Sequence, residues 1–454
     1  MNLEAIFGRS ADMPVRAGLV GAGEFGATFV AQSRRIPGLT APVICDRDPE
    51  RARRALCAAG LAVEDIAICD DKAAALRALE LDKTVVIADA ALLPDLPLDV
   101  IVEATGDPEG AAATVLAAIE SGRHSVLATK ETESVVGPIL ARRAAAAGLI
   151  HTPVDGDQPS LLIGLVGWAR LLGLEIIAAG KASESDFVWD PATGLVTAWG
   201  RSCPAPSYHA AFGSVDAAAA RDLAEFPRTT VPDLCEMTIV ANHTGLVPDL
   251  PELHAPIART IELPHLFRPR EEGGLLGRRG AVDMFNCLRR PDELSFAGGV
   301  FVTLEAPDPA TGQLFAQKGI PASPDGRCFL AHNPVHLLGA EAAMSVLSAA
   351  RLRCSTGGTV VRPAFDLVAR ARRDLVPGER LDLGARHAIA ALDHLMLPAR
   401  PLGPDAAVPY YLLAGRTVRA PARAGEIITA AHVALDPIST LYRLRAEQDQ
   451  AFFS

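Results

Sequence analysis

Lysine is scarce in this chain. Of 43 Lys and Arg, only Lys72, Lys83, Lys130, Lys181 and Lys318 are lysines. Arginine is the default surface cation, so a lysine in a strand-end motif is less readily read as filler. The 8 cysteines (Cys45, Cys57, Cys69, Cys203, Cys235, Cys287, Cys328 and Cys354) form no Cys-x-x-Cys pair, which excludes a zinc ribbon or a thioredoxin-like motif. Their scattered spacing reads as reduced thiols in a cytoplasmic protein. No paired-acid pattern offers a metal site, and no Gly-x-Ser-x-Gly elbow offers a nucleophile. Met1 to Pro14 lacks both a basic start and an apolar run, so no signal peptide is expected. The most apolar stretch, Leu161 to Gly180, carries Arg170 and Glu175 and changes character midway. It is expected to be a buried helix and a strand, not a membrane span. A net charge of -11 disfavours nucleic acid and anionic membranes as partners.

Hydrophobic residues make up 49% and charged residues 21% of the 454, enough to bury sizeable cores in about three domains. Val15 to Val20 reads as a buried strand, with a helix after it that Pro37 and Gly38 stop. Val43 to Cys45, Thr84 to Ala88, Asp99 to Ala104 and His124 to Thr129 are further strands. Helices at Pro49 to Ala59 and Pro108 to Ser121 alternate with them, which argues for a parallel sheet with crossover helices. After Ile150 the texture changes. A strand at Leu174 to Ala179 leads into loops to about Pro232, then a helix at Asp233 to Asn242, a Gly/Arg/Glu loop at Arg268 to Gly280, a strand at Gly299 to Leu304 and a helix at Glu341 to Ala350. Beyond Arg351, short apolar runs such as Tyr411 to Leu413 and Glu426 to Thr429 between Pro and Gly suggest a small β-rich module. The fold expected is α/β: a doubly wound Rossmann domain over residues 1–155, an α+β substrate and dimerisation domain over 156–350, and a β-rich domain over 351–454.

Gly21-x-Gly23-x-x-Gly26 is the strongest local signal. Its glycines permit a tight turn, a close approach of backbone to pyrophosphate, and close packing of helix on strand. The helix start, with Glu24 and Phe25 inside the motif, offers free N–H groups to phosphates. Asp46, 20 residues past Gly26, suits ribose hydroxyls, while the adjacent Arg47 suits a 2′-phosphate. NAD and NADP therefore both stay open. Thr105 and Gly106, at the next strand end, leave room for the nicotinamide ribose. Asp107, before Pro108, reads as a helix cap.

Lys130 ends the strand after that, where ligands of parallel sheets bind. Its ammonium can polarise a carbonyl, or take a hydroxyl proton if burial lowers its pKa. Glu131 is its neighbour and a candidate substrate contact. In Val154-Asp155-Gly156-Asp157-Gln158-Pro159 the acids Asp155 and Asp157, with Gln158, suit substrate hydroxyls or a fixed lysine, one acid also serving as a helix cap. Lys181, after Gly180, resembles Lys130 in position. Together they suggest an electropositive pocket for an anionic substrate. Asn242 and His336 are further polar candidates for substrate contact.

Gly18 to Gly26, Val102 to Asp107 and His124 to Glu131 resemble the cofactor half of homoserine dehydrogenases, with Lys130 where that family's catalytic lysine lies. Thr129 stands in place of its Asn. A fuller resemblance is to the deoxyxylulose-phosphate reductoisomerase-like oxidoreductases. It rests on Lys130-Glu131, Val136-Gly-Pro138, Asp155 to Pro159, Gly180-Lys181, Glu236-Met237, Ala241-Asn242, Gly299 to Phe301, and His336-Leu337 with Glu341. Arg373 to Leu381 and Arg423 to Thr429 resemble a SAF domain. These likenesses imply a dimeric, NAD- or NADP-dependent oxidoreductase acting on a small polyol or sugar-phosphate carbonyl. Homoserine dehydrogenase and a non-catalytic dinucleotide sensor are the competing readings. Full reductoisomerase chemistry would also imply a divalent metal, for which Asp155, Asp157 and Glu131 are the oxygen ligands to inspect.

Overall fold

The computed structural model describes residues 2–7, 13–205, 213–221, 223 and 225–454. Seven parallel strands form the first sheet: β1 Val15–Val20, β2 Leu39–Cys45, β3 Ile66–Ile68, β4 Thr84–Ile87, β5 Val100–Glu103, β6 His124–Leu127 and β7 His151–Pro153. Their order is β3-β4-β2-β1-β5-β6-β7. The chain starts in the middle of the sheet, runs to one edge, then returns through β1 to the other. This reversal opens a crevice beyond the carboxyl ends of β1 and β5. Burial along β5 and β6, and along β1 except at Arg16, accounts for their largely apolar sequences.

The second sheet holds nine strands: β8 Ile176–Ala182, β9 Phe187–Asp190, β10 Leu195–Ala198, β11 Arg201–Pro204, β12 Val247–Pro248, β13 Ile257–Ala258, β14 Ala281–Arg289, β15 Val300–Glu305 and β16 Cys328–Asn333. It is mixed: β14 runs parallel to β8, whereas β15 and β16 are antiparallel to their neighbours. Of the loop expected before Pro232, β9 to β11 form a meander, and residues 206–212 lie outside the described residues.

Four helices carry the site: α1 Glu24–Ser33, α2 Lys130–Ala146, α3 Gln158–Leu171 and α4 Val231–Thr244. Thr230 and Asp233 build a capping box at the start of α4, and Gly245 (φ +72°) closes its end. The helix Ala342–Leu347 packs back into the core beneath β1 and α1.

The C-terminal module has two short antiparallel pairs: β17 Phe365–Ala371 with β19 Leu392–Pro398, and β18 Arg380–Leu381 with β20 Arg416–Thr417. Tyr410–Leu413 is a 3-10 turn after Pro409, and the run Glu426 to Thr429 makes only isolated bridges. The chain then ends in a helix, α5 Thr440–Phe453, that the sequence reading missed. This helix lies on α2: Gln448 donates to Val135 O and accepts from Ile139 N–H. Fully buried Arg445 forks onto Asp366 at 2.6 and 2.9 Å and reaches Asp449 at 2.7 Å. Among the described residues no helix is long and apolar enough to cross a membrane.

Candidate active site

The crevice is a cleft of about 750 Å³, lined by Gly21, Gly23, Asp46, Arg47, Thr105 and Asp107 among others. Its floor requires glycine. Gly21 has φ +97°, and a β carbon there would stand 2.5 Å from Ala104 O. At Gly26 a β carbon would meet Gly21 O at 2.0 Å, so the helix could not approach the turn. Gly23 has no atom within 4 Å of its missing β carbon and presents bare backbone. Asp46 accepts from Ala22 N–H at 2.8 Å and from Asp48 N–H at 2.8 Å, which fixes its carboxylate at the end of β2. Lone pairs remain for ribose hydroxyls. Arg51 lines the same end as Arg47, a cation the sequence reading passed over. Glu24 is exposed at the start of α1, and Phe25 is turned to the Leu338–Ala340 turn, where Gly339 packs on its carbonyl.

At the other end, Gly106 N–H donates to Thr129 Oγ1 at 2.9 Å, joining the ends of β5 and β6. Thr105 donates to Glu103 at 2.5 Å. Glu103 is fully buried, one of its oxygens has no hydrogen-bond partner, and burial pushes its carboxyl up to about 7. Asp107 caps the helix Pro108–Glu120, as expected.

The two lysines converge, though not as an open electropositive pocket. Lys130 Nζ donates to Glu236 Oε1, and Lys181 Nζ donates to Glu236 Oε2 and, at 2.7 Å, to Asp233. Lys181 is 0% exposed, while Lys130 keeps 19% of its side chain open and stands 3.9 Å from Asp157. Burial alone would lower both ammonium pKa values. For Lys130 it is outweighed by Asp157, Glu236 and Glu131, and for Lys181 by Asp233 and Glu236, so both are raised. This corrects the expectation that burial frees Lys130 as a base. The organising residues are Asp233 and Glu236, three apart on one face of α4, which the sequence reading had not placed in the site. Two acids inside the apolar helical run Val231–Thr244 were the available signal, because buried carboxylates demand cations.

The acids of the 155–158 turn part company. Asp157 caps α3 through Gln158 N–H at 2.9 Å and faces Lys130. Asp155 turns to Ser160 Oγ at 2.5 Å, and burial first, with Glu341 adding, raises its carboxyl to about 6. Buried Gln158 donates to Ala182 O at 3.4 Å, beside Lys181. Glu131 lies 2.5 Å from His387 Nδ1. The three carboxylates considered for a metal therefore go to different partners, and no group of three metal-ligating side chains occurs among the described residues. Asn242 is not in the cleft: its Oδ1 accepts from Ala364 and Phe365 N–H and its Nδ2 donates to Phe365 O, which anchors β17. His336 rests on Gly298, away from the lysine pair's contacts. Behind the site, Glu133 accepts from His151 and His243 at 2.8 and 2.9 Å in a sealed network.

Residues 156–342 match the family described as oxidoreductase DRL, catalytic domain. A 1-deoxy-D-xylulose 5-phosphate reductoisomerase of Xanthomonas oryzae pv. oryzae is 30% identical over 27% of this chain and 36% of its own length. The chain thus spans about a third of the length of the curated relatives it matches. Two solved structures are similar over part of the chain. Myo-inositol dehydrogenase from Lactobacillus casei, solved with NAD(H) and myo-inositol, is 15% identical with a TM-score of 0.28, over 38% of this chain and 47% of that one. A homoserine dehydrogenase from Thiobacillus denitrificans is 20% identical with a TM-score of 0.27, over 36% and 35%. In agreement with the resemblance at Gly180-Lys181 and Glu236-Met237, it is the segment 156–342 of this chain that matches the oxidoreductase DRL catalytic domain.

Proposed function

We propose that the protein is an NAD(P)-dependent oxidoreductase that interconverts a hydroxyl and a carbonyl on a small polyol or sugar. One observation carries this reading. Lys130, the partly open lysine of the pair, follows β6 at the carboxyl edge of the parallel sheet, two strands from the glycine turn after β1, and stands 3.9 Å from Asp157. A bound nicotinamide dinucleotide would supply hydride chemistry. Gly21, Gly23 and Gly26 would hold its pyrophosphate, Asp46 its adenosine ribose, and Thr105 and Gly106 its other ribose.

The chain's own residues do the rest. Lys130 stays an ammonium and polarises the reacting oxygen. Asp157 orients a neighbouring hydroxyl. Lys181 is sealed from the cleft and acts on Lys130 by fixing Glu236 between them. Two lysines against Glu236, Asp233 and Asp157 leave no net positive charge, which supports an uncharged substrate over an anionic one.

NADH and NADPH binding by fluorescence, followed by turnover of erythritol, myo-inositol, homoserine and 1-deoxy-D-xylulose 5-phosphate, tests this. Binding with turnover of an uncharged polyol is expected. Failure of both nucleotides to bind sinks the reading. Turnover of the phosphate ester alone sinks the charge argument.

A further inference from the structure

Gly106, just past the end of β5, is covered by a residue that belongs to neither large sheet. His387 lies in the C-terminal module, in the turn Ala385–His387 between β18 and β19. Its ring rests on Gly106: a β carbon there would stand 3.0 Å from Cε1 and 3.6 Å from Nε2. Its Nδ1 faces Glu131 Oε1 at 2.5 Å, and Glu131 follows Lys130 in sequence. The ring therefore sets Nδ1 against the buried Glu131 carboxylate and Nε2 beside Gly106.

The turn is held at a conformational cost. Arg386 and His387 both have φ 53°, a left-handed backbone that residues with a β carbon rarely adopt. Such residues cost about 1–3 kcal/mol each and persist where their surroundings over-determine them. Two contacts do so here: Glu131 on His387, and the Trp199 ring under the Arg386 guanidinium at 4.1 Å. Trp199, at the tip of the β10–β11 hairpin, also has φ 53°. Positive φ at Trp199 and Gly200 is ordinary for their two-residue hairpin turn, so the strain lies at Arg386 and His387, beside Gly106, and points to function there.

The proposed chemistry lacks a proton acceptor. Lys130 is held as an ammonium by Asp157, Glu236 and Glu131. Glu103 is sealed beneath Thr105, and Asp155 is spent on Ser160. We propose that His387 is the general base of alcohol oxidation, oriented by Glu131, so that the C-terminal module completes the active site. This rests on the function proposed above. In the oxidation, the substrate carbon gives up its hydrogen as hydride to the oxidised nicotinamide. Its hydroxyl proton passes to His387 Nε2, and the O–H bonding pair becomes the second C–O bond. The products are the carbonyl, the reduced nicotinamide and an imidazolium paired with Glu131. Three charged groups face or flank the ring: Glu131 favours its protonation, Lys130 opposes it, and Arg386 is turned to Trp199.

The test uses the full chain. Ring-nitrogen NMR of His387 is followed on adding NAD⁺, and separately on adding ADP-ribose, which lacks the nicotinamide. A shift with NAD⁺ and none with ADP-ribose is expected, and equal responses or none would overturn the proposal. On the alcohol that turns over, His387→Gln is expected to cut kcat about 100-fold or more with KM little changed. In His387→Ala, added imidazole is expected to restore part of the loss. Glu131→Gln is expected to lower the ring's pKa in the same spectra, which a merely structural histidine would not couple to kcat. Full activity in His387→Gln overturns the proposal while leaving the dehydrogenase reading intact. Absence of NADH binding fails that reading first.

Discussion

Replacing Glu236 by Gln tests whether the lysine pair is built around one buried carboxylate. Glu236 is 0% exposed and bridges Lys130 and Lys181. The amide keeps the shape and removes the charge. Lys181 then retains Asp233 at 2.7 Å, and Lys130 retains Asp157 at 3.9 Å and the field of Glu131. Breaking a fully buried pair from one side costs about 3–5 kcal/mol. For a unit of this size that lowers Tm by on the order of 10 °C. Thermal and urea unfolding of the full chain, followed by circular dichroism, would read it. Lys181→Met makes the opposite imbalance, leaving Glu236, Asp233 and Asp157 to one lysine. The double variant restores balance, so it is expected to be more stable than the summed losses by about 1–3 kcal/mol. A loss below about 0.5 kcal/mol for Glu236→Gln, with strict additivity in the double, would refute the reasoning, since that is how exposed pairs behave.

Three further outcomes are expected. Gly26→Ala puts a β carbon 2.0 Å from Gly21 O, so nucleotide binding measured by NADH fluorescence should be lost while far-ultraviolet dichroism is kept. Asp155 has its carboxyl raised to about 6 in the fold, so its ionisation opposes folding as pH rises from its unfolded value through that point. Asp155→Asn should therefore match wild type near pH 4 and exceed it above pH 7 by on the order of 2–3 kcal/mol, and equal stability at both pH values contradicts this. Arg445→Met strands Asp366 and Asp449, so α5 should become the first site of limited proteolysis, at a cost of about 3–5 kcal/mol. Unchanged protease resistance would show that α5 is held by its apolar contacts alone.

The cofactor half was legible in the sequence because its signals are local. The turn Gly21 to Gly26 sits between a buried strand and a helix, and Asp46 closes the next strand, all within one crossover unit. Lys130 and Lys181 were legible as rare cations at strand ends. Their partners were not, because Asp233 and Glu236 come from a helix about 50 residues beyond Lys181, and only the fold brings them together. The same separation explains why the lysines read as an open cationic pocket when three carboxylates surround them. Asn242 looked like a site residue because it is polar at a helix end, yet tertiary packing spends it on the backbone of β17. His387 gave no signal at all: its placement depends on a strained turn and on Gly106, some 280 residues earlier. In the tail, Pro and Gly spacing pointed to a small β-rich module, which the two antiparallel pairs form. The amphipathic run of α5, with Leu441 and Leu444 buried, was masked by its charged residues.

A crystal structure of the full chain grown with NAD⁺ tests the central claim most directly. Pyrophosphate on the Gly21 to Gly26 turn is expected, with the nicotinamide ring between Gly106 and the Lys130 ammonium. A nucleotide bound elsewhere, or in the cleft with its nicotinamide pointing away from Lys130, would contradict the account.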